Sequence, residues 1–303
     1  MKRLQRERNV ECMNAAEAKR ARFRELLNSP GIIPTAVAYD CLSARIFEQA
    51  GFELLGMGGN STMASLIGYP DLSLATGTEM YARAKQIATR TSVPLYCDAD
   101  TGYGDLYNVR RTVEEYELAG AAGIHLEDQT FPKKCGNMPG VTVIPAEQAV
   151  EKVKVALKSR TDPNFIIIAR TDSYNSLGIE ESIRRCRMFY EAGADVVMPE
   201  GMQTREEWAY VGQELSKDGI PAMIDLIYAD HVKWTNKECE DMGFKIVSRG
   251  MYPITALTKF LKDFAADMHD NNCEKYVDQC ISIRDYEKVL GIERELNIRD
   301  LLI

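Results

Sequence analysis

Short apolar runs rich in isoleucine and valine recur along this chain, and each is followed by a stretch whose apolar residues return every three or four positions. The runs are IIPTAVA (32–38), FELLGM (52–57), VPLYCDAD (93–100), GIHLED (123–128), FIIIARTD (165–172), DVVMPE (195–200), IPAMIDL (220–226) and FKIVSRG (244–250). Runs of this length predict buried strands, and the intervening stretches, such as 108–118, 180–191 and 205–215, predict amphipathic helices. Four of the helices end on the same punctuation, EQAGF, ELAGAAG, YEAGAD and EDMGF. Glycine there suits a left-handed cap before the chain turns into the next strand.

Eight strands alternating with helices read as parallel, with both faces of each strand covered. At 303 residues the most economical closure is a (β/α)8 barrel of the TIM type. A doubly wound open sheet is the runner-up, but it calls for a GxGxxG turn after the first strand. GMGGNS (56–61) misses that spacing and follows the second run. The barrel also explains where charge falls. The runs end in Asp98 and Asp100, Glu127 and Asp128, Arg170 and Asp172, Glu200, Asp225 and Arg249, whereas their starts are largely uncharged. Strands that merely emerge into water would carry charge at both ends. In barrel enzymes the active site lies at the carboxyl ends of the strands, where the βα loops converge.

Composition narrows the partners. The chain is 45% hydrophobic and 27% charged, with a net charge of −8, which argues against a nucleic-acid partner, since binding the phosphate backbone needs a basic face. No apolar run approaches the roughly 20 residues that span a bilayer, and the charged start MKRLQRERNVEC has no apolar signal-peptide core. A cytoplasmic, membrane-free protein is expected. Eight cysteines, at 12, 41, 97, 135, 186, 239, 273 and 280, include no CxxC pair, and His125, His231 and His269 are far apart. Both facts speak against zinc and predict free thiols. Cys273 and Cys280, seven apart, read as packing residues on a helix.

Asp98 and Asp100 are two apart on one strand, so both carboxylates project from one face, and Glu127 ends the next strand. Three acids without an imidazole or thiolate set make a hard-oxygen site that suits Mg2+, with Mn2+ the next choice. A salt bridge to Arg170 is the alternative, although one pairing leaves two acids. Gly56, Gly58 and Gly59 leave backbone amides open to an anion, or form a plain tight turn. Arg170 at a strand end can fork around a carboxylate. The pattern predicts a small di- or tri-acid as ligand.

With these residues placed, the motifs AYDCLSA (38–44), GYPDL (68–72), YCDADTGYG (96–104), GIHLEDQ (123–129), FPKKCGN (131–137), IIARTD (167–172) and MPEG (198–201) resemble, in order, those of the isocitrate lyase / phosphoenolpyruvate mutase superfamily. The resemblance implies a (β/α)8 barrel over residues 1–271 with an N-terminal helical extension. It also implies a helical tail over 272–303, swapped between the subunits of a homotetramer. In the carbon–carbon lyase branch a K-K/R-C-G-H loop carries the general acid, which makes Cys135 that acid, with Lys133 and Lys134 stabilising its thiolate and Lys134 counted among the catalytic residues. A thiol with a reference pKa of about 8.5 can donate at neutral pH. By the same matching, Asp98, Asp100 and Glu127 form the metal shell, some of them through water. Gly58, Gly59, Asn60, Arg170, Glu200 and Asp225 face the substrate, and Asp71 is a second catalytic candidate.

Four positions depart from the family pattern. Asn137 stands for the loop histidine, Gly56 for an aromatic residue of the substrate pocket, Asp225 for an asparagine, and Thr258 for an arginine that holds an extra carboxylate. Loss of that cation weakens a tricarboxylate more than a dicarboxylate. The expected activity is magnesium-dependent retro-aldol cleavage of a 2-methyl-2-hydroxy acid, 2,3-dimethylmalate ahead of 2-methylisocitrate, to pyruvate plus propionate or succinate. The alternatives are an oxaloacetate hydrolase, a phosphonate mutase or hydrolase, against which Cys135 argues, and a non-catalytic carboxylate binder.

Overall fold

The computed structural model describes residues 2–136, 138–227 and 233–297, with side chains from residue 15 onward except that of Arg294. Asn137, His231 and the last six residues lie outside the described residues.

All eight apolar runs are strands: β1 (Ile33–Ala38), β2 (Leu55–Met57), β3 (Leu95–Asp98), β4 (Gly123–Glu127), β5 (Ile166–Thr171), β6 (Val196–Pro199), β7 (Met223–Asp225) and β8 (Ile246–Ser248). Every neighbouring pair is parallel, in the order β6-β5-β4-β3-β2-β1-β8-β7. A single parallel bridge, Val197 with Ala222, links the two ends. The fold is a nearly closed (β/α)8 barrel. The strands are shorter than the apolar runs, and Asp98, Glu127, Arg170 and Asp225 still belong to the paired ladder at or near the ends of their strands.

Alternation within the strands separates two kinds of core. Inward residues Ile33, Leu54, Tyr96, Ile166, Ile168, Val196, Met223 and Ile246 pack together inside the barrel. The N-terminal helix, Lys2–Asn28, closes the amino end by inserting Phe23, fully buried, into that cluster. Arg20 of this helix donates to the carbonyls of Glu117 and Ala121. Outward residues such as Leu55, Met57, Cys97, Ile124 and Ile167 meet the surrounding helices.

The helix ends follow from the sequence. Asp40, Thr76 and Thr204 form capping boxes at the starts of helices Cys41–Gln49, Gly77–Ala88 and Arg205–Lys217. At the other ends Gly51, Gly120, Gly193 and Gly243 all have positive φ, between 90° and 108°, which glycine adopts without strain. None of the seven cysteines with described side chains is in a disulfide. Cys273 and Cys280 do not share a helix as expected: Cys273 follows the end of helix Tyr252–Asn271 in a left-handed conformation, and Cys280 is exposed. Asn272 caps that helix in the left-handed region, so the chain turns before the predicted heptad completes. No helix among the described residues is long and apolar enough to cross a membrane.

Candidate active site

The strand termini surround a cavity of about 600 Å3, part of it open to solvent. Its walls include Gly58, Gly59, Asn60, Asp71, Asp98 and Cys135, and Arg170, Glu200 and Asp225 complete the set brought to one place. Asp100, Glu127 and Lys134 do not line it.

Asp98 is clamped at the end of β3. Its two oxygens accept from the backbone amides of Gly59 (3.0 Å) and Asp100 (2.9 Å). The Gly59 amide therefore serves the protein's own carboxylate rather than standing open to an anion. A Cβ at Gly59 would collide with Asp98, so the close approach requires glycine. Burial would raise Asp98, yet its pKa is held below the usual carboxylate range. His125 lies 3.7 Å away but is itself pushed below its ordinary value by burial. His125, then Lys133, Arg170 and the Asp100 amide, together outweigh burial and lower Asp98.

Asp100 follows at φ +48°, which swings its carboxylate away from Asp98 and onto a lysine. That lysine is Lys133, not Lys134. The Lys133 ammonium is buried, 2.7 Å from Asp100 Oδ1 and 2.8 Å from Asp71 Oδ1, as ion pairs without hydrogen-bond alignment. Burial opposes its charge, but Asp100, Glu127, Asp98 and Asp71 together raise its pKa. Burial likewise raises Asp100 against the pull of Lys133, with Asp98 and Asp71 adding to the rise. Lys134 turns the other way. Its amide donates to Gln129 Oε1 at 3.0 Å, the Gln129 amide returns to its carbonyl at 2.9 Å, and its ammonium reaches only toward Pro139 O at 3.5 Å. Consecutive side chains of a locally extended segment face opposite ways, so only one lysine of the pair can enter the acid cluster.

Glu127 is fully buried, and neither carboxylate oxygen has a hydrogen-bond partner. Arg170 Nη1 is 3.5 Å away. Burial pushes Glu127 up, against Arg170 and Lys133, and pushes Glu200 up to about 8 against Arg170. Arg170 spends its fork on Asp172, through Nε at 3.1 Å and Nη2 at 2.7 Å, instead of holding it open to a ligand. Asp128, buried against Arg185 at 2.9 Å, accepts from Thr171 and the Asp172 amide and so fixes the end of β5.

Among the described residues no three acids, histidines or cysteines converge as a ready metal cage; Asp100 is paired with Lys133, and Glu127 lies 3.5 Å from Arg170. The donor chemistry nonetheless fits a hard cation held by few carboxylates and several waters. Two orphaned, buried oxygens on Glu127 are what such a hydrated ion satisfies.

The cysteine loop lies over the cavity. The Cys135 amide donates to Asp71 O at 3.1 Å, Ser73 Oγ to Lys133 O at 3.1 Å, and a Cβ on Gly136 would collide with Arg170 and Asp172. Thr258 sits away from the cavity, exposed, its hydroxyl donating to Ile254 O of its own helix at 2.8 Å. Asp225 accepts from the Gly250 amide at 2.9 Å. Residues to which sequence reasoning gave no role in the site are Tyr96, His125 and Ser248, and Asp172 reads from the sequence only as a strand-end charge. The first two stand two positions before Asp98 and Glu127 on the same strand faces, so the period of two that paired the acids also pointed to them.

Comparison with known proteins identifies the family. A family model described as phosphoenolpyruvate phosphomutase matches residues 23–269. The chain belongs to the phosphoenolpyruvate mutase / isocitrate lyase superfamily. It is an enzyme of that superfamily, similar to the 2,3-dimethylmalate lyase of Eubacterium barkeri (36% identical, covering 90% of this chain and 94% of the relative). It is also similar to the 2-methylisocitrate lyase of Bacillus subtilis (strain 168) (32%, covering 92% and 94%). Among solved superfamily structures, it resembles oxaloacetate acetylhydrolase bound to the inhibitor 3,3-difluorooxalacetate (TM-score 0.87, 32% identical, covering 94% and 97%). Phosphonopyruvate hydrolase in complex with oxalate and Mg2+ is another (TM-score 0.84, 28%, covering 93% and 98%).

Proposed function

We propose that this chain is a magnesium-dependent carbon–carbon lyase that cleaves a 2-methyl-2-hydroxy dicarboxylate of the 2,3-dimethylmalate type into pyruvate and propionate. The observation that carries the reading is the position of Cys135 on the same cavity wall as Asp98, Arg170 and Glu200. A proton donor on a loop above a carboxylate-binding cleft suits protonation of a carbanion. Magnesium, when bound, supplies positive charge that acidifies the substrate hydroxyl and stabilises the 2-oxo acid; Asp98, with Asp100 and Glu127 behind it, would hold it. Loss of the C2 hydroxyl proton to a base breaks the C2–C3 bond, C2 becomes the ketone carbon of pyruvate, and the electron pair remains on C3 beside its carboxylate. Cys135 Sγ–H delivers its proton to C3 and is left as a thiolate. Lys133, two residues away, contributes positive charge to that side of the cavity.

The dicarboxylate preference rests on charge. Arg170 is the only cationic side chain among the described residues lining the cavity, and it is already paired with Asp172. A third carboxylate would be buried without a partner. Oxaloacetate hydrolysis is the second reading, favoured by the likeness to oxaloacetate acetylhydrolase. The test is pyruvate release, coupled to lactate dehydrogenase, with and without magnesium, from 2,3-dimethylmalate and 2-methylisocitrate, with oxaloacetate followed separately as oxalate. Magnesium-dependent pyruvate from 2,3-dimethylmalate is the expected result. Oxalate from oxaloacetate, with no pyruvate from the other two, would move the assignment to the hydrolase.

A homotetramer with exchanged C-terminal helices is part of the same proposal. It is supported by the apolar residues Leu257, Leu261, Met268, Ile283 and Tyr286, all exposed on the single chain.

A further inference from the structure

The floor of the cavity takes no part in the chemistry above. Tyr96, on β3 two residues before Asp98, is 2% exposed; its hydroxyl makes no hydrogen bond of good geometry, although the hydroxyls of Ser248 and Thr35 lie close enough to act on it. Thr35 Oγ1 on β1, Ser248 Oγ on β8 and His125 Nδ1 on β4 likewise make no hydrogen bond of good geometry. Thr35 pairs with Ser248 in the strand register, and Gly56 with Tyr96. The groups therefore occupy one arc of the barrel at neighbouring heights. Tyr96, His125 and Ser248 all face the cavity.

Gly56 is what makes this arc. A Cβ there would lie 2.5 Å from both Cζ and Oη of Tyr96, so the phenol fills the space a side chain at position 56 would claim. The ring that fills this space comes from the neighbouring strand and brings its hydroxyl with it.

Barrel interiors of this type are ordinarily filled by branched apolar side chains. A buried polar group without a well-formed hydrogen bond is costly, so the groups of this arc that face the cavity, Tyr96, His125 and Ser248, make a surface that a ligand can complete. The charges nearby narrow what completes it. Asp225 lines the cavity, and Arg170 is engaged by Asp172. A carboxylate would meet no lysine or arginine on this arc, and an alkyl group would give Tyr96 and Ser248 no hydrogen bond beyond their weak contact with each other. A hydroxyl donates and accepts at once, and it carries no charge.

We propose that Tyr96 and Ser248, with Thr35 behind them, form a subsite for an uncharged hydrogen-bonding substituent, a hydroxyl, on C3 of the substrate, with Tyr96 as the specificity-determining contact. The inference rests on the lyase reading for the carbon skeleton and narrows it from a 3-alkyl to a 3-hydroxyalkyl 2-methylmalate.

Three 2-methylmalates differing only at C3 test it: methyl (2,3-dimethylmalate), hydroxymethyl and carboxymethyl (2-methylisocitrate). Their dissociation constants are measured by calorimetry with magnesium on Cys135→Ser protein, and their kcat/KM for pyruvate release on protein with Cys135 intact. Each measurement is repeated with Tyr96→Phe and Ser248→Ala, after a thermal melt confirms folding. A site built to bond a hydroxyl strongly rejects analogues lacking it, so the hydroxymethyl compound is expected to bind at least about tenfold more tightly than the other two. Tyr96→Phe is expected to remove most of that ratio, and Ser248→Ala, a smaller change, to reduce it should Tyr96→Phe not fold. No preference, as when ordered waters alone fill the arc, or a preference unchanged in the variants, overturns the subsite. The expected binding order without turnover of any compound would instead overturn the lyase reading and leave the subsite standing.

Discussion

Lys133 Nζ stands 2.7 Å from Asp100 Oδ1, with both side chains buried. The same ammonium touches Asp71 and raises its own pKa through the combined field of Asp100, Glu127, Asp98 and Asp71. One cation thus offsets several carboxylates at the end of the barrel. Removing one partner of a buried ion pair costs about 3–5 kcal/mol. Lys133→Ala is therefore expected to melt roughly 10 °C lower than the parent protein in the absence of magnesium. Added magnesium is expected to raise the melting temperature of the variant more than that of the parent, because it supplies positive charge to the same acids. Calorimetric melts with and without the metal check both statements, and an unchanged melting temperature would show that the acids are neutral without the lysine.

Cys135→Ser keeps the shape of the loop and replaces a thiol by a much weaker acid. Proton donation in the transition state is worth about 10²–10⁴-fold, so turnover should fall by at least 10²-fold. Oxalate binding, which needs the cavity and not the donor, should change little. Single-turnover kinetics and titration calorimetry read the two separately. Turnover near that of the parent protein would remove Cys135 from the reaction.

The strands were legible because β-branched apolar runs bounded by glycine have few alternatives, and all eight appear where the pattern put them. The acids at their ends were legible for a related reason: Asp98 and Glu200 could only be costly inside the barrel, so they had to mark its mouth. What pattern could not supply is direction within a loop. Lys133 and Lys134 are chemically identical in sequence, and only the grip of the Gln129 side chain on the Lys134 backbone decides which ammonium turns inward. The Gly59 amide and the Arg170 fork looked available because their partners, Asp98 and Asp172, meet them only in three dimensions. Tyr96 was read as one apolar residue of a strand. Its role depends on the missing side chain of Gly56, on the neighbouring strand.

Gly136 provides a test of loop seating that leaves the chemical groups in place. Any Cβ at this position would collide with Arg170 and Asp172, while Asn175 Nδ2 reaches toward the Gly136 carbonyl at 3.4 Å. Gly136→Ala should therefore hold Cys135 away from its present position without touching the barrel core. Misplacement of a reacting group by about 1 Å costs on the order of 10²-fold, and the loss is expected in kcat/KM with the melting temperature within about 1 °C of the parent. A large fall in melting temperature would show that the loop contributes to the fold rather than to the site.

The C-terminal segment offers the last test. In helix Ile283–Leu290 the residues Ile283, Tyr286 and Leu290 fall at i, i+3 and i+7, the spacing of one apolar face. They are 79%, 45% and 39% exposed on the single chain. The helix touches its own barrel through polar contacts, Arg45 Nε and Gln49 Nε2 donating to the Val289 carbonyl at 3.0 and 2.9 Å. Leu257, Leu261 and Met268, on helix Tyr252–Asn271, extend the exposed apolar surface. A second copy of the chain, exchanging the same segment, would cover both surfaces by symmetry. Light scattering after size exclusion should give a tetramer for the full chain and a smaller species for a chain ending at residue 271. Ile283→Asp with Leu290→Asp should do the same without shortening the chain, since two charges on an interface core are costly to bury. A full-length monomer, or a tetramer indifferent to both changes, would return the helix to its own barrel.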